Sequence, residues 1–342
     1  VNIESMQIGV VGAGSWGTAI ASLLGMKGFK VDLWAFEPQV AEQINKQHEN
    51  KLFLPDIPLS QNVRASNDLA YVVSGKKLVV FVSPSHIFRE VASKAAAHVA
   101  PSAVVVSASK GIENRTYLTM SGIMAEVFGE TFRTRIAVLS GPSFAREVAS
   151  KVPTVVTAAS ADPETARFVQ EIFAAPHFRV YTNSDVIGVE LGGAVKNVIA
   201  IASGIVDGMG LGLNTRAALI TRGLAEIRRL GMHMSANPHT FAGLSGLGDL
   251  VLTCTGNLSR NHTVGKMLGE GKTLAEILSS MRMVAEGVKT ARSVYNLSKK
   301  LGVDMPISHA VYEVLYEGLS PGDAVIRLMT RDLKDELQDI EG

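Results

Sequence analysis

Residues 8–24 read IGVVGAGSWGTAIASLL, and three of their glycines, Gly12, Gly14 and Gly17, stand in the spacing GxGxxG. The spacing alone says little, and its flanks decide the reading. The run before it, Met6–Val11, is short, apolar and rich in β-branched residues, which predicts a buried strand. The run after it, Ser15–Lys27, carries Ile20, Ala21, Leu23, Leu24 and Lys27 and stops at Gly28, which predicts a helix with a glycine terminator. The glycines therefore fall on a strand–turn–helix corner. There Gly12 permits the tight turn, Gly14 lets the main chain approach a pyrophosphate, and Gly17 lets helix and strand pack closely. The helix start offers free N–H groups and the positive end of a dipole to that anion. A second strand is expected over Lys30–Phe36. Glu37 follows it, about twenty residues past the last glycine, where an acid that holds a ribose is expected. The corner reads as a dinucleotide site; the alternative is a turn without a ligand.

The whole chain bounds what surrounds this corner. Its 342 residues allow two domains, and 46% hydrophobic with 19% charged residues fits a globular enzyme with a sizeable core. A formal net charge of +1 gives no bulk electrostatic case for nucleic acid or an anionic membrane. The single cysteine, Cys254, excludes an internal disulfide framework and fits a reducing compartment. The opening residues VNIESMQIGVV lack a basic segment and run directly into the first strand, so no signal peptide is expected. No uninterrupted apolar stretch reaches the roughly 18 residues of a membrane span.

Further strands are expected at Leu78–Val82, Ala103–Ser109, Ile136–Gly141, Thr154–Ala159 and Phe178–Thr182, with helical stretches between them. Alternating units of this kind predict an α/β fold, a Rossmann-type doubly wound parallel sheet. The last two strands are placed at its far edge, with an antiparallel direction open to them. Ligands bind outside the carboxyl ends of such strands, so the residues just after them matter most. These are Ser83-Pro84-Ser85-His86, Ser109-Lys110-Gly111 and Gly141-Pro142-Ser143-Phe144. From about Ser184 helical periodicity dominates, so a dinucleotide-binding domain over 1–188 and an all-α, substrate-binding domain over 189–342 are expected.

Several residues have the chemistry for a reaction. The segment Glu190–Gly208 is helical and nearly apolar, and Lys196 is its one cation. Gly192, Gly193, Ile199 and Ala200 share its face. Such a lysine either snorkels to water or sits desolvated, with its pKa lowered towards the range of a general acid or base. Asp249 follows a glycine hinge at a helix start, where it either caps the helix or orients a lysine. Ser259-Arg260-Asn261 opens another helix, as a phosphate site or as a capped end with a solvated arginine. Lys110 follows a strand's carboxyl end and is either solvated or a ligand contact. The histidines show no metal-ligand spacing: His233 and His239 are separated by an Asn-Pro break, and His86 has no cysteine or acidic partner near it.

These motifs together resemble the soluble, bacterial type of NAD(P)-dependent glycerol-3-phosphate dehydrogenase. The matching pieces run in order along the chain: GAGSWGTA at Gly12, VSPSH at Val82, SASKGIE at Ser107, LSGPSFAREV at Leu139, ELGGAVKNVIAIASGIVDG at Glu190, GLSGLGDLVLTCTGNLSRN at Gly243 and VAEGVKTA at Val284. The resemblance implies that Lys196 is the proton donor to the substrate carbonyl, with Asn197 beside it and Asp249 and Thr253 supporting it. It implies that Arg260 and Asn261, helped by Ser259, clamp the substrate phosphate, and that Lys110, Gly141 and Ser143 touch substrate. It places Ser15, Trp16, Phe36, Lys110, Ala145, Arg260, Val284 and Glu286 at the cofactor, NAD or NADP. Position 36 departs from the pattern: relatives often carry a basic or polar residue there, towards the 2′-phosphate of NADPH, and this chain has Phe36.

The implied reaction is reversible reduction of dihydroxyacetone phosphate to sn-glycerol 3-phosphate, in the cytoplasm, feeding glycerophospholipid synthesis, by a homodimer that binds no nucleic acid and inserts in no membrane. Two rivals are a related two-domain dehydrogenase of a hydroxy acid, which needs no phosphate clamp, and a dinucleotide-sensing module, which needs no Lys196.

Overall fold

The computed structural model describes residues 6–281 and 285–336. Eight strands form one sheet: β1 (Gln7–Val11), β2 (Lys30–Trp34), β3 (Val63–Ser66), β4 (Leu78–Phe81), β5 (Val104–Ser107), β6 (Ile136–Ser140), β7 (Thr154–Ala159) and β8 (Phe178–Asn183). Their order is β3-β2-β1-β4-β5-β6-β7-β8. The first six run parallel. β7 is antiparallel to β6, and β8 is parallel to β7. This is the doubly wound sheet expected from the sequence, with β7 and β8 reversed at its far edge. β3 was not expected. It has four residues, of which only Val63 and Ala65 are buried, so its alternation is too short to stand out.

The chain divides into two compact units, Val1–Ser109 with Met120–Val186 and Lys110–Thr119 with Ile187–Gly342. A single break at 188 does not provide for residues 110–119. They join the second unit because Ile112 is buried in its helical core and the Ser293 hydroxyl donates to the Ile112 carbonyl at 2.8 Å.

In the first unit the strand order reverses between β1 and β4, the switch point at which doubly wound folds bind ligands. The glycine corner lies there. The Gly12 amide donates to the Trp34 carbonyl at 3.1 Å, and Val82 donates to Val11 at 2.8 Å. Gly12 has a φ of +121°, and a Cβ there would meet the Val82 carbonyl oxygen at 3.0 Å.

The second unit is built around the helix Val186–Gly208, in which every residue from Gly188 to Val206 is buried. A helix that is apolar all round belongs in a core. Its length and hydropathy would also let it cross a membrane, yet 89% of its most apolar window is buried inside the protein. It crosses the helix Arg260–Gly269 at backbone contact. A Cβ on Gly265 would run into the Ile201 carbonyl, and one on Gly204 into the His262 carbonyl. Small residues on both helices set how closely the two axes approach, and so fix the helix that opens with Arg260 against the helix that carries Lys196.

Candidate active site

In the first unit the three glycines perform separate tasks. Gly12 makes the turn. Gly17 lies so close to Gly12 that a Cβ would overlap the Gly12 carbonyl oxygen. A Cβ on Gly14 would meet no heavy atom within 4 Å, so the main chain is open to an approaching group there. Gly14 is also the N-cap of the helix Ser15–Met26, and no side chain caps it. An open approach, uncapped N–H groups and a helix dipole fit a pyrophosphate. Ser15 donates its hydroxyl to the Phe53 carbonyl at 2.6 Å, and Trp16 packs against the core.

Phe36 is 75% exposed, in edge contact with Trp34. Glu37 is the N-cap residue of the helix Pro38–Gln47, without a side-chain cap bond. Gly141 follows β6 with a φ of +141°, and the Ser143 hydroxyl donates back to its carbonyl at 2.9 Å. Ala145 opens the helix Ala145–Ala149.

The second unit assembles a charged cluster from three distant parts of the chain. Asp249, 1% exposed, is the first residue of the helix Asp249–Thr255. Its carboxylate does not cap that helix. One oxygen accepts from Lys196 and the other from Lys110, at 2.5 Å. Lys196 also donates to the Thr253 hydroxyl at 2.6 Å, and that hydroxyl donates to the Asp249 carbonyl at 2.6 Å. An ammonium has three N–H donors. Asp249 and Thr253 take two of them.

Burial lowers the Lys196 pKa to about 8; Asp249 opposes this and the charge of Lys110 adds to it. The lysine does not snorkel: it is 5% exposed. A buried ammonium held this near neutrality gives up a proton readily. The second partner of Asp249, Lys110, has no signal in the sequence. Lys110 is 139 residues away, and only the excursion of residues 110–119 brings it in.

A second group adjoins the first through Asn197. The Asn261 side-chain oxygen accepts from the Gly287 amide at 2.9 Å. A Cβ on Gly287 would meet the Asn197 carbonyl oxygen at 2.6 Å and Asn261 at 2.8 Å. Ser259 caps the helix Arg260–Gly269 by accepting from the His262 amide at 3.2 Å, and the exposed Arg260 leads that helix. Burial lowers the Arg260 pKa, and the charge of Glu286, first in the helix Glu286–Leu301, opposes this. Val284 lies outside the described residues. A cation, free helix N–H groups and a capping serine together suit a phosphate.

Elsewhere in this unit an apolar hollow of about 370 Å³ is lined by Ile205, Leu219, Val311 and Leu328 among others, and by none of Lys110, Lys196, Asp249 or Arg260. Cys254 is a buried thiol with its pKa pushed up to about 12, too high for a nucleophile. Among the described residues no three histidine, cysteine or acidic side chains come together as metal ligands would.

Comparison with known proteins finds relatives that match nearly the whole chain. The family models for the N-terminus and the C-terminus of NAD-dependent glycerol-3-phosphate dehydrogenase match residues 7–166 and 185–326. The chain is 58% identical to glycerol-3-phosphate dehydrogenase [NAD(P)+] of Geobacter metallireducens, over 96% of this chain and 98% of that one. It is 56% identical to the enzyme of that name from Syntrophobacter fumaroxidans, over 97% of both. The crystal structure of glycerol-3-phosphate dehydrogenase from Coxiella burnetii superimposes with a TM-score of 0.91 at 39% identity, over 95% of this chain and 99% of that one.

Proposed function

Because the chain belongs to the NAD-dependent glycerol-3-phosphate dehydrogenase family, we propose that it reduces dihydroxyacetone phosphate to sn-glycerol 3-phosphate, reversibly, with NADH or NADPH. The observation that carries this reading is Lys196, buried, with a pKa of about 8 and held by Asp249 and Thr253.

When bound, the nicotinamide supplies hydride to the substrate C2. Negative charge then gathers on the C2 oxygen. Lys196 meets that charge with its ammonium and passes a proton to it, acting as general acid in reduction and general base in oxidation. Asp249 holds the ammonium in place through one carboxylate oxygen, and Lys110 engages the other oxygen. Lys110, Gly141 and Ser143 contact substrate. Arg260, Asn261 and Ser259 bind the phosphate, which is remote from the reacting carbon. Their binding energy holds the small triose in line for the reaction. Asn197 and Thr253 support this arrangement. Gly12, Gly14, Ser15, Trp16 and Gly17 bind the cofactor pyrophosphate side, and Phe36, Ala145, Val284 and Glu286 complete its contacts. On this reading residues 1–188 are the dinucleotide-binding domain and 189–342 the substrate-binding domain.

The product feeds glycerophospholipid synthesis, and the enzyme works in the cytoplasm without inserting in a membrane. The buried free thiol Cys254 and the burial of the apolar helix Val186–Gly208 support that placement. It works as a homodimer, a reading supported by large apolar side chains that the helical unit leaves exposed, Leu213 at 71%, Ile326 at 62% and Met329 at 78%. Oxidation of NADH in the presence of dihydroxyacetone phosphate, ketopantoate or free dihydroxyacetone tests the substrate. The expected result is turnover with the phosphorylated triose and little with the other two. Preference for ketopantoate would replace this reading with a hydroxy-acid dehydrogenase, and no turnover with any would favour a sensing module.

A further inference from the structure

Asn50 lies in the loop after the helix Pro38–Gln47 and is completely buried, although nothing in the cofactor motif includes it. Its side chain is fully used. The Nδ2 group donates to the Ala13 carbonyl at 2.8 Å and to the Thr18 hydroxyl at 2.8 Å. Its Oδ1 accepts from the Phe53 amide at 3.1 Å. The Phe53 amide can meet only an oxygen, so the orientation of the Asn50 amide is determined by its partners. Thr18 in turn donates to the same Ala13 carbonyl at 3.2 Å. The loop is closed by Leu54, whose amide donates to the Asn50 carbonyl at 2.8 Å, and is tied to the glycine corner again by Ser15 and Phe53.

The carbonyl of Ala13 and the amide of Gly14 belong to one peptide unit. In a planar trans peptide they point in opposite directions. Two donors draw the Ala13 carbonyl towards the buried side. The Gly14 N–H is thereby turned away from Asn50, at the residue where the main chain is open to approach. We propose that Asn50 is a positioning residue for the cofactor: it fixes the Ala13–Gly14 peptide plane so that the Gly14 amide faces the pyrophosphate. This deepens the reading of the glycine corner as the cofactor site and rests on it. Without Asn50 the plane keeps one donor, and the amide spends less time in the orientation that an anion needs. Preorganisation of this kind acts on the affinity for the anionic bridge and leaves the nicotinamide end untouched.

The test is fluorescence titration of the full chain with NADH and, separately, with reduced nicotinamide riboside, which carries no phosphate. Asn50→Ala is neutral and removes both donations. Its Kd for NADH should rise tenfold or more, while that for the riboside should change by less than threefold. Thr18→Val keeps the volume, removes one donor to the Ala13 carbonyl and one acceptor for Asn50, and should weaken NADH severalfold with the same selectivity. Equal weakening of both ligands would show a purely structural role and overturn the proposal, as would NADH affinity within twofold of the parent. If Asn50→Ala does not fold, Thr18→Val decides by the same two criteria. A parent protein that binds no NADH would instead sink the cofactor reading beneath this one.

Discussion

Asp249 has two carboxylate oxygens and each meets a different lysine, so one buried anion serves two cations. Burial, and to a smaller degree the charge of Lys110, act on Lys196, the less exposed of the two lysines, against the support of Asp249. Its ammonium form therefore persists below about pH 8 and is lost above it. Reduction needs the ammonium and oxidation needs the amine. We predict that kcat for reduction is level below about pH 8 and falls about tenfold per unit above it, while kcat for oxidation rises through the same range. Asp249→Asn removes the charge that supports the ammonium, so the falling limb for reduction should move to lower pH. A pH–rate profile with the limb unmoved would contradict the pairing. At the phosphate end, Arg260→Ala should cost about 1.5–3 kcal/mol in binding dihydroxyacetone phosphate. Added phosphite should partly restore reduction of free dihydroxyacetone. An unchanged KM would contradict the phosphate role. Lys196 was legible in the sequence because it is the only cation on an apolar helix. The Lys110–Asp249 pair and Asn50 were not, because loops with no periodicity bring those partners together from far along the chain.

The helices carry these residues only if they stay in place. The crossing of Val186–Gly208 with Arg260–Gly269 has no room for a side chain at Gly265. Gly265→Val should destabilise the protein by about 3 kcal/mol, the upper end for overpacking, since backbone and not a flexible side chain must move. A loss below about 1 kcal/mol in urea unfolding would show that the crossing is slack. A second joint is Glu226 in the helix Gly212–His233. It is buried and accepts from the amides of Ile307, at 2.5 Å, and Ser308, at 3.0 Å, so it caps the helix Pro306–Tyr316. Burial raises its pKa to about 7, and those donors oppose the rise. The folded state thus holds a proton that the unfolded chain has released between about pH 4.5 and 7. The stability linked to that proton is full below about 4.5 and is lost as pH rises through about 7. Glu226→Gln should flatten the decline of Tm across this range; an equal slope in parent and variant would contradict it. Helix existence was legible from apolar periodicity. The glycine crossing was not, because spacing does not say which helix lies opposite.

For the whole molecule, the doubly wound sheet was legible because each inner strand is a continuous apolar run after a helical stretch. Edge strand β3 was not, having only two buried residues, and neither was the excursion of 110–119, which depends on Ile112 finding a core far ahead in the chain. Cofactor choice also belongs to this scale. The end of β2 leads into Phe36 and Glu37, which offer no cation to a 2′-phosphate, and Glu37 suits a free 2′-hydroxyl. We predict kcat/KM for NADH at least comparable to that for NADPH; a hundredfold preference for NADPH would show a basic residue reaching that position from another loop. The proposed reaction depends on Lys196 as the group that moves the proton. Lys196→Met, compared with the parent by kcat for reduction of dihydroxyacetone phosphate and by NADH affinity, tests it most directly. The expected result is a fall in kcat of roughly two to four powers of ten with NADH affinity preserved. A kcat within threefold of the parent would contradict it.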